Sequence, residues 1–76
     1  MTVIEEPQTS TSIAKVIEIT AESPISFEDA IGRGILKAAE SVHGIRSAWV
    51  KEQQVKVEDG KVVGFRVDLK VTFVVD

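Results

Sequence analysis

The chain has 76 residues, no cysteine, 43% hydrophobic and 28% charged residues, and a net charge of −3. That is one domain rather than two, without a disulfide or thiolate metal site to staple it and without the basic footprint of a nucleic-acid partner. No apolar run approaches the roughly 18 to 20 residues that cross a bilayer, and the first residues lack a leader's basic start and apolar core, so the expectation is a cytoplasmic protein with no membrane partner.

Residues 1–12 hold Glu5, Glu6, Pro7 and a run of Gln, Thr and Ser, too polar to offset the entropy of ordering, and are expected to be a flexible tail ahead of a domain over residues 13–76. Ile13 to Thr20 is rich in β-branched residues and predicts a strand, which Ala21 to Ile25 should break. Ser26 before Phe27, Glu28 and Asp29 has the form of an N-cap with an acidic first turn. Phe27, Ile31, Ile35, Ala38 and Val42 then draw one apolar stripe along a helix that Gly44 should end. Gly32 and Gly34 lie inside it, either to let a neighbouring element approach closely or as tolerated glycines.

Ile45 to Val57 predicts a second strand, and Asp59-Gly60 is a strong two-residue hairpin signal. In the third strand Val63, Phe65, Val67, Leu69, Val71, Phe73 and Val75 alternate with mostly polar residues, so one of its faces is core. A turn on Asp59-Gly60 places Val50 opposite Leu69, Ala48 opposite Val71, Trp49 opposite Lys70, Lys51 opposite Asp68 and Gln53 opposite Arg66. The result is an α+β domain of order β-α-β-β, an antiparallel three-stranded sheet around one helix. Its expected core is Phe27, Ile31, Ile35, Val42, Val50, Leu69, Val71 and Phe73. Trp49, Val55, Val57, Val62 and Val74 are left on the face away from the helix, an apolar surface that points to self-association.

Little in the sequence suggests catalysis. The single histidine, His43, follows the helix stripe next to Gly44 and reads as structural or solvated. Glu5/Glu6 and Glu28/Asp29 read as tail charge and helix-start charge, and no specific nucleophile, base and acid set can be assembled. Gly32-Arg33-Gly34 is mid-helix, which is the wrong context for a phosphate loop. The protein is expected not to be an enzyme.

The runs Lys15-Val16-Ile17-Glu18-Ile19, Ser23-Pro24-Ile25-Ser26-Phe27-Glu28-Asp29-Ala30-Ile31 and Phe65-Arg66-Val67-Asp68-Leu69-Lys70-Val71-Thr72-Phe73, in that order, resemble the dodecin family of bacteria and archaea. The resemblance implies a hollow homododecamer that stores flavin, FMN or riboflavin, between subunits, held by a stacking tryptophan on the second strand and a glutamine on the third. Here those places fall on Ser47, just after Arg46, and on Arg66. Trp49 lies two residues beyond Ser47 on the same face, about 6 to 7 Å along the strand. Three readings stay open, with flavin storage as the first candidate. Trp49 stacks on flavin with Arg46, Ser47, Gln53 and Arg66 as polar contacts. Alternatively the chain resembles a non-flavin branch of the family in which Glu52, with Glu58 or Asp59, holds calcium or magnesium. In the third reading Trp49 only packs between subunits and Arg66 pairs with an acid.

Overall fold

The computed structural model describes residues 13–75, so the tail expected over residues 1–12 lies outside the described residues. Strand β1 (Ile13–Ser23), helix α1 (Phe27–Ala39), strand β2 (Ile45–Glu58) and strand β3 (Lys61–Val75) follow in the expected order. The sheet order is β1-β3-β2, and both pairings are antiparallel. β1 runs three residues past the expected break, because Ala21, Glu22 and Ser23 find partners in Val67, Arg66 and Phe65 of the central strand. The helix stops earlier than its stripe suggests, at Ala39. Only a loosened turn remains beyond it, in which Ser41 and Val42 donate to the Ala38 carbonyl.

Capping sets where the helix begins. The Ser26 hydroxyl accepts the Asp29 backbone N–H at 2.9 Å, satisfying one of the orphan donors of the first turn. The Ser23 hydroxyl, 2% exposed, donates to the Asp29 carboxylate and accepts from the Ile25 N–H at 2.9 Å. Arg33 donates to the same carboxylate oxygen from one turn on, at 2.8 Å. The end of β1 is thereby tied to the start of α1. At the far end Gly44 has φ 78°, and a Cβ there would meet the Val74 carbonyl oxygen at 3.1 Å. Gly44 does not end the helix as expected, since the helix stops at Ala39 with Glu40 as its C-cap; it lets the chain turn into β2 instead.

Ala30, Val67, Leu69 and Val71 are fully buried, with Ile17, Ile19, Ala21, Phe27, Ile31, Ile35 and Ile45 packed around them. Phe27 and Phe65 meet edge to face at 5.1 Å. Because α1 rests mainly over β1 and β3, Val50 on β2 stays 38% exposed and is not the core residue expected. Val67 and Ala30 take that role instead. Gly34 lies against β1, where a Cβ would come within 3.0 Å of Ala21 Cβ, whereas a Cβ at Gly32 would meet nothing within 4 Å. Close approach therefore explains only one of the two helix glycines.

The hairpin turns on Asp59 (φ 53°) and Gly60 (φ 75°), the two positive φ values of a type I′ turn. Opposed pairs agree with expectation at Ala48/Val71, Trp49/Lys70 and Val50/Leu69. The register then shifts at Lys51, which has no partner of its own, as it also does at Arg46 and at Val63. Glu52, not Lys51, stands opposite Asp68, and Gln54, not Gln53, stands opposite Arg66. A single extra residue inverts the alternation beyond it. Val55 accordingly pairs with Phe65 on the helix-facing side, which corrects its expected place on the open face.

Two outcomes test this packing. Gly32→Ala should stabilise the fold by about 0.5 to 1 kcal/mol through helix propensity, while Gly34→Ala should destabilise it by crowding Ala21, as read by denaturant melts. The Ser23 hydrogen bond, the largest effect, holds the Asp29 carboxyl below its ordinary value; burial, next in size, opposes it, and the hydrogen bond and charge of Arg33 add to the lowering. A depressed acid contributes stability above its unfolded pKa that is lost as pH falls through the folded value. Ser23→Ala should therefore lower the melting temperature at neutral pH and lose that effect in acid, below the Asp29 titration.

Candidate functional site: the open face of the sheet

The sheet has one face toward α1 and one face that none of the described residues covers. Cross-strand partners share a face, so the open face can be read along the central strand. Thr72 stands between Val16 and Ser47, Lys70 between Glu18 and Trp49, Asp68 between Thr20 and Glu52, and Arg66 between Glu22 and Gln54. Four of the six residues expected at a ligand site, Ser47, Trp49, Glu52 and Arg66, thus lie on this face. Gln53 does not, because the bulge at Lys51 turns it to the other side, opposite Val67. Arg46 sits on a register irregularity at the start of β2. Within one protomer Trp49 and Arg66 are not brought together, since Lys70, the partner of Trp49, is four residues from Arg66 along β3, about 13 Å.

Trp49 and Arg66 have partners within the chain. Trp49 is 51% exposed, and the Lys70 ammonium stands 5.6 Å from its ring centroid, a cation–π arrangement that places a positive charge against the indole. Arg66 reaches Glu22 at 3.7 Å, the acid pairing expected as one alternative. Its Nε is buried and has no hydrogen-bond partner. Glu22 also receives Lys56 at 3.5 Å. Glu58 and Asp59 lie at the hairpin end of β2, about 20 Å along the strand from Glu52, so they cannot join it in one site of one chain.

Around Glu52 the face is densely charged. Glu52 and Asp68 are directly opposed carboxylates, a like-charge pair that disfavours the sheet unless something compensates it. Thr20 donates to Asp68 at 3.0 Å. Lys51 reaches from the bulge across β3 to Glu18 on β1, an ion pair of 2.9 Å. That hydrogen bond first, then the charge of Glu18 and smaller contributions from Glu52 and Asp68, raises the Lys51 ammonium above its ordinary pKa. Among the described residues no three acidic or imidazole side chains converge as a metal shell, so a hard cation here would draw further oxygens from water or from another copy. The sequence reading missed Asp68, Lys51 and Lys70. The missing signal was the bulge, since an uninterrupted register separates Glu52 from Asp68.

A concavity among the described residues lies elsewhere, a groove of ≈ 700 Å³ between β1 and α1 lined by Ile19, Ala21, Arg33, Gly34, Lys37 and Ala38 among others. None of the expected ligand residues lines it. No helix among the described residues is long and apolar enough to cross a membrane.

Glu18 should be what holds Lys51 charged in alkaline solution. A raised lysine contributes stability that is complete below its unfolded pKa and is lost as pH rises through the folded one. Glu18→Gln should return the Lys51 titration toward the ordinary lysine value, followed by NMR of the side-chain nitrogen.

The chain matches the protein family described as Dodecin over residues 13–76. A calcium dodecin of Mycobacterium tuberculosis is 39% identical over 62 residues, covering 82% of this chain and 87% of that protein. Among solved structures, a dodecin from Streptomyces davaonensis superposes with a TM-score of 0.83 at 30% identity, over 88% of this chain and 98% of that one. The calcium-chelating immunodominant antigen of M. tuberculosis, a calcium dodecin described as having a novel calcium-binding site, gives a TM-score of 0.74 at 39% identity, over 86% and 93% of the two chains.

Proposed function

The chain belongs to the dodecin family, and on that premise we propose that it is a non-catalytic binding protein that takes up a divalent cation of the calcium class on the open face of its sheet, with Glu52 as the principal carboxylate. The observation that carries this reading is the opposition of Glu52 and Asp68 on an uncovered face. Two carboxylates held against each other by the backbone ladder are relieved by a cation between or beside them. Calcium rather than magnesium suits exposed, flexible carboxylates, because it accepts six to eight oxygens in loose geometry, whereas magnesium demands a tight octahedron. The 39% identity to a calcium dodecin supports the same choice.

Assembly belongs to the proposal. Few side chains are fully buried in a single copy, and Trp49, Val55, Val57 and Val62 are all exposed, more apolar surface than a small monomer ordinarily leaves in water. A homododecamer of the kind the family resemblance implies would cover such surface and could complete a cation shell from several copies.

One observation favours flavin as a second reading. Trp49 presents half of its surface on the open face and could stack on an isoalloxazine ring, with Arg66 as a polar contact from a neighbouring copy. Against it, Ser47 and Arg66 stand where the resemblance places the stacking tryptophan and the glutamine, and Lys70 already lies over the Trp49 ring.

Calorimetric titration with CaCl2 separates the two. Calcium should bind, with affinity falling at least about tenfold in Glu52→Gln, the scale of one lost charge-assisted ligand. Undiminished affinity in that variant removes Glu52 from the site. Quenching of Trp49 emission by riboflavin or FMN, abolished in Trp49→Ala, would make flavin the ligand. Light scattering on the eluting protein should give a mass well above that of one chain.

A further inference from the structure

We propose that Lys51 is a built-in counter-ion for the open face, a tethered ammonium that neutralises its carboxylates when no metal is bound and competes with a divalent cation for them. The competition rests on the cation reading above, but the counter-ion role does not. Lys51 is the extra residue of the β2 bulge, inserted between Val50, opposite Leu69, and Glu52, opposite Asp68. The insertion that brings two carboxylates face to face therefore also supplies the lysine beside them. The lysine does not fold back on its neighbour. It spans the central strand to form a 2.9 Å ion pair with Glu18 on β1, so that one positive charge serves acids on all three strands.

The other lysine of this region is engaged differently. Lys70 is the register partner of Glu18, yet its ammonium stands over the Trp49 ring, which leaves Lys51 as the cation that Glu18 holds. The Lys51–Glu18 pair is also about half exposed on both sides, 47% and 50%. Exposed ion pairs of this kind are weak and open readily, so a doubly charged ion held near Glu52 and Asp68 can displace the ammonium into water. Lys51 would then lower the affinity of the face for cations and favour divalent over monovalent ones, because only the higher charge outbids a tethered ammonium.

The test compares the parent with Lys51→Met and Lys51→Arg, each checked for folding by circular dichroism. Lys51→Met should bind CaCl2 about tenfold more tightly or better, and Lys51→Arg should stay close to the parent. In EDTA at low ionic strength Lys51→Met should melt at a lower temperature than the parent and be restored by NaCl, with Lys51→Arg again like the parent. If the parent binds calcium and Lys51→Met binds it no more tightly, the competition is overturned and the cation reading stands. If neither binds calcium, the cation reading falls and the melts in EDTA decide the counter-ion role alone. Equal melting of parent and Lys51→Met in low salt overturns that role.

Discussion

One helix of 13 residues cannot cover both sides of a sheet whose outer strands have 11 and 14 residues, and the rest of the structure follows from that shortage. α1 is anchored at one end by the Ser23, Ser26, Asp29 and Arg33 contacts and lies over β1 and β3. The fully buried residues are accordingly those of the central strand, Val67, Leu69 and Val71, with Ala30 of the helix above them. β2 is left exposed along its length, and the far face is covered by none of the described residues. Apolar burial is the main source of stability in a domain of this size, so a sheet shielded on one side over two strands has reason to use its remaining surface for assembly and for ligands.

The bulge at Lys51 decides what chemistry that surface carries. With a strict two-residue alternation, Gln53 would share the open face with Arg66 and Val55 would face away from the helix. The inserted residue sends Gln53 and Val55 to the helix side, opposite Val67 and Phe65, and brings Glu52 and Gln54 out opposite Asp68 and Arg66. The open face thereby loses Val55 and gains the Glu52 carboxylate. Local twist and the opposition of acids on neighbouring strands are consequences of the same insertion.

Fold and site are related differently to the family. The order β-α-β-β follows the common plan, and superposition on a dodecin of 30% identity is close. On the open face of this chain Trp49 lies under Lys70 and Arg66 stands against Glu22. A fold tolerates such exchange because its core residues and its exposed face are different sets of side chains on the same strands.

The order of elements, the N-cap at Ser26, the turn at Asp59-Gly60 and the buried stripe of β3 were legible in the amino-acid sequence because each is a local preference or a short-period pattern. The extension of β1 to Ser23, the exposure of Val50, the purpose of Gly34 and the partners of Glu52 were not, because each depends on residues far away in the chain. Ala21 and Ser23 are strand residues because Val67 and Phe65 stand beside them. Gly34 is small because Ala21 is close. Glu52 meets Asp68 because one residue was inserted without a mark in composition or periodicity. Pairing across strands is a cooperative choice among registers of nearly equal local merit, and only the assembled sheet made it.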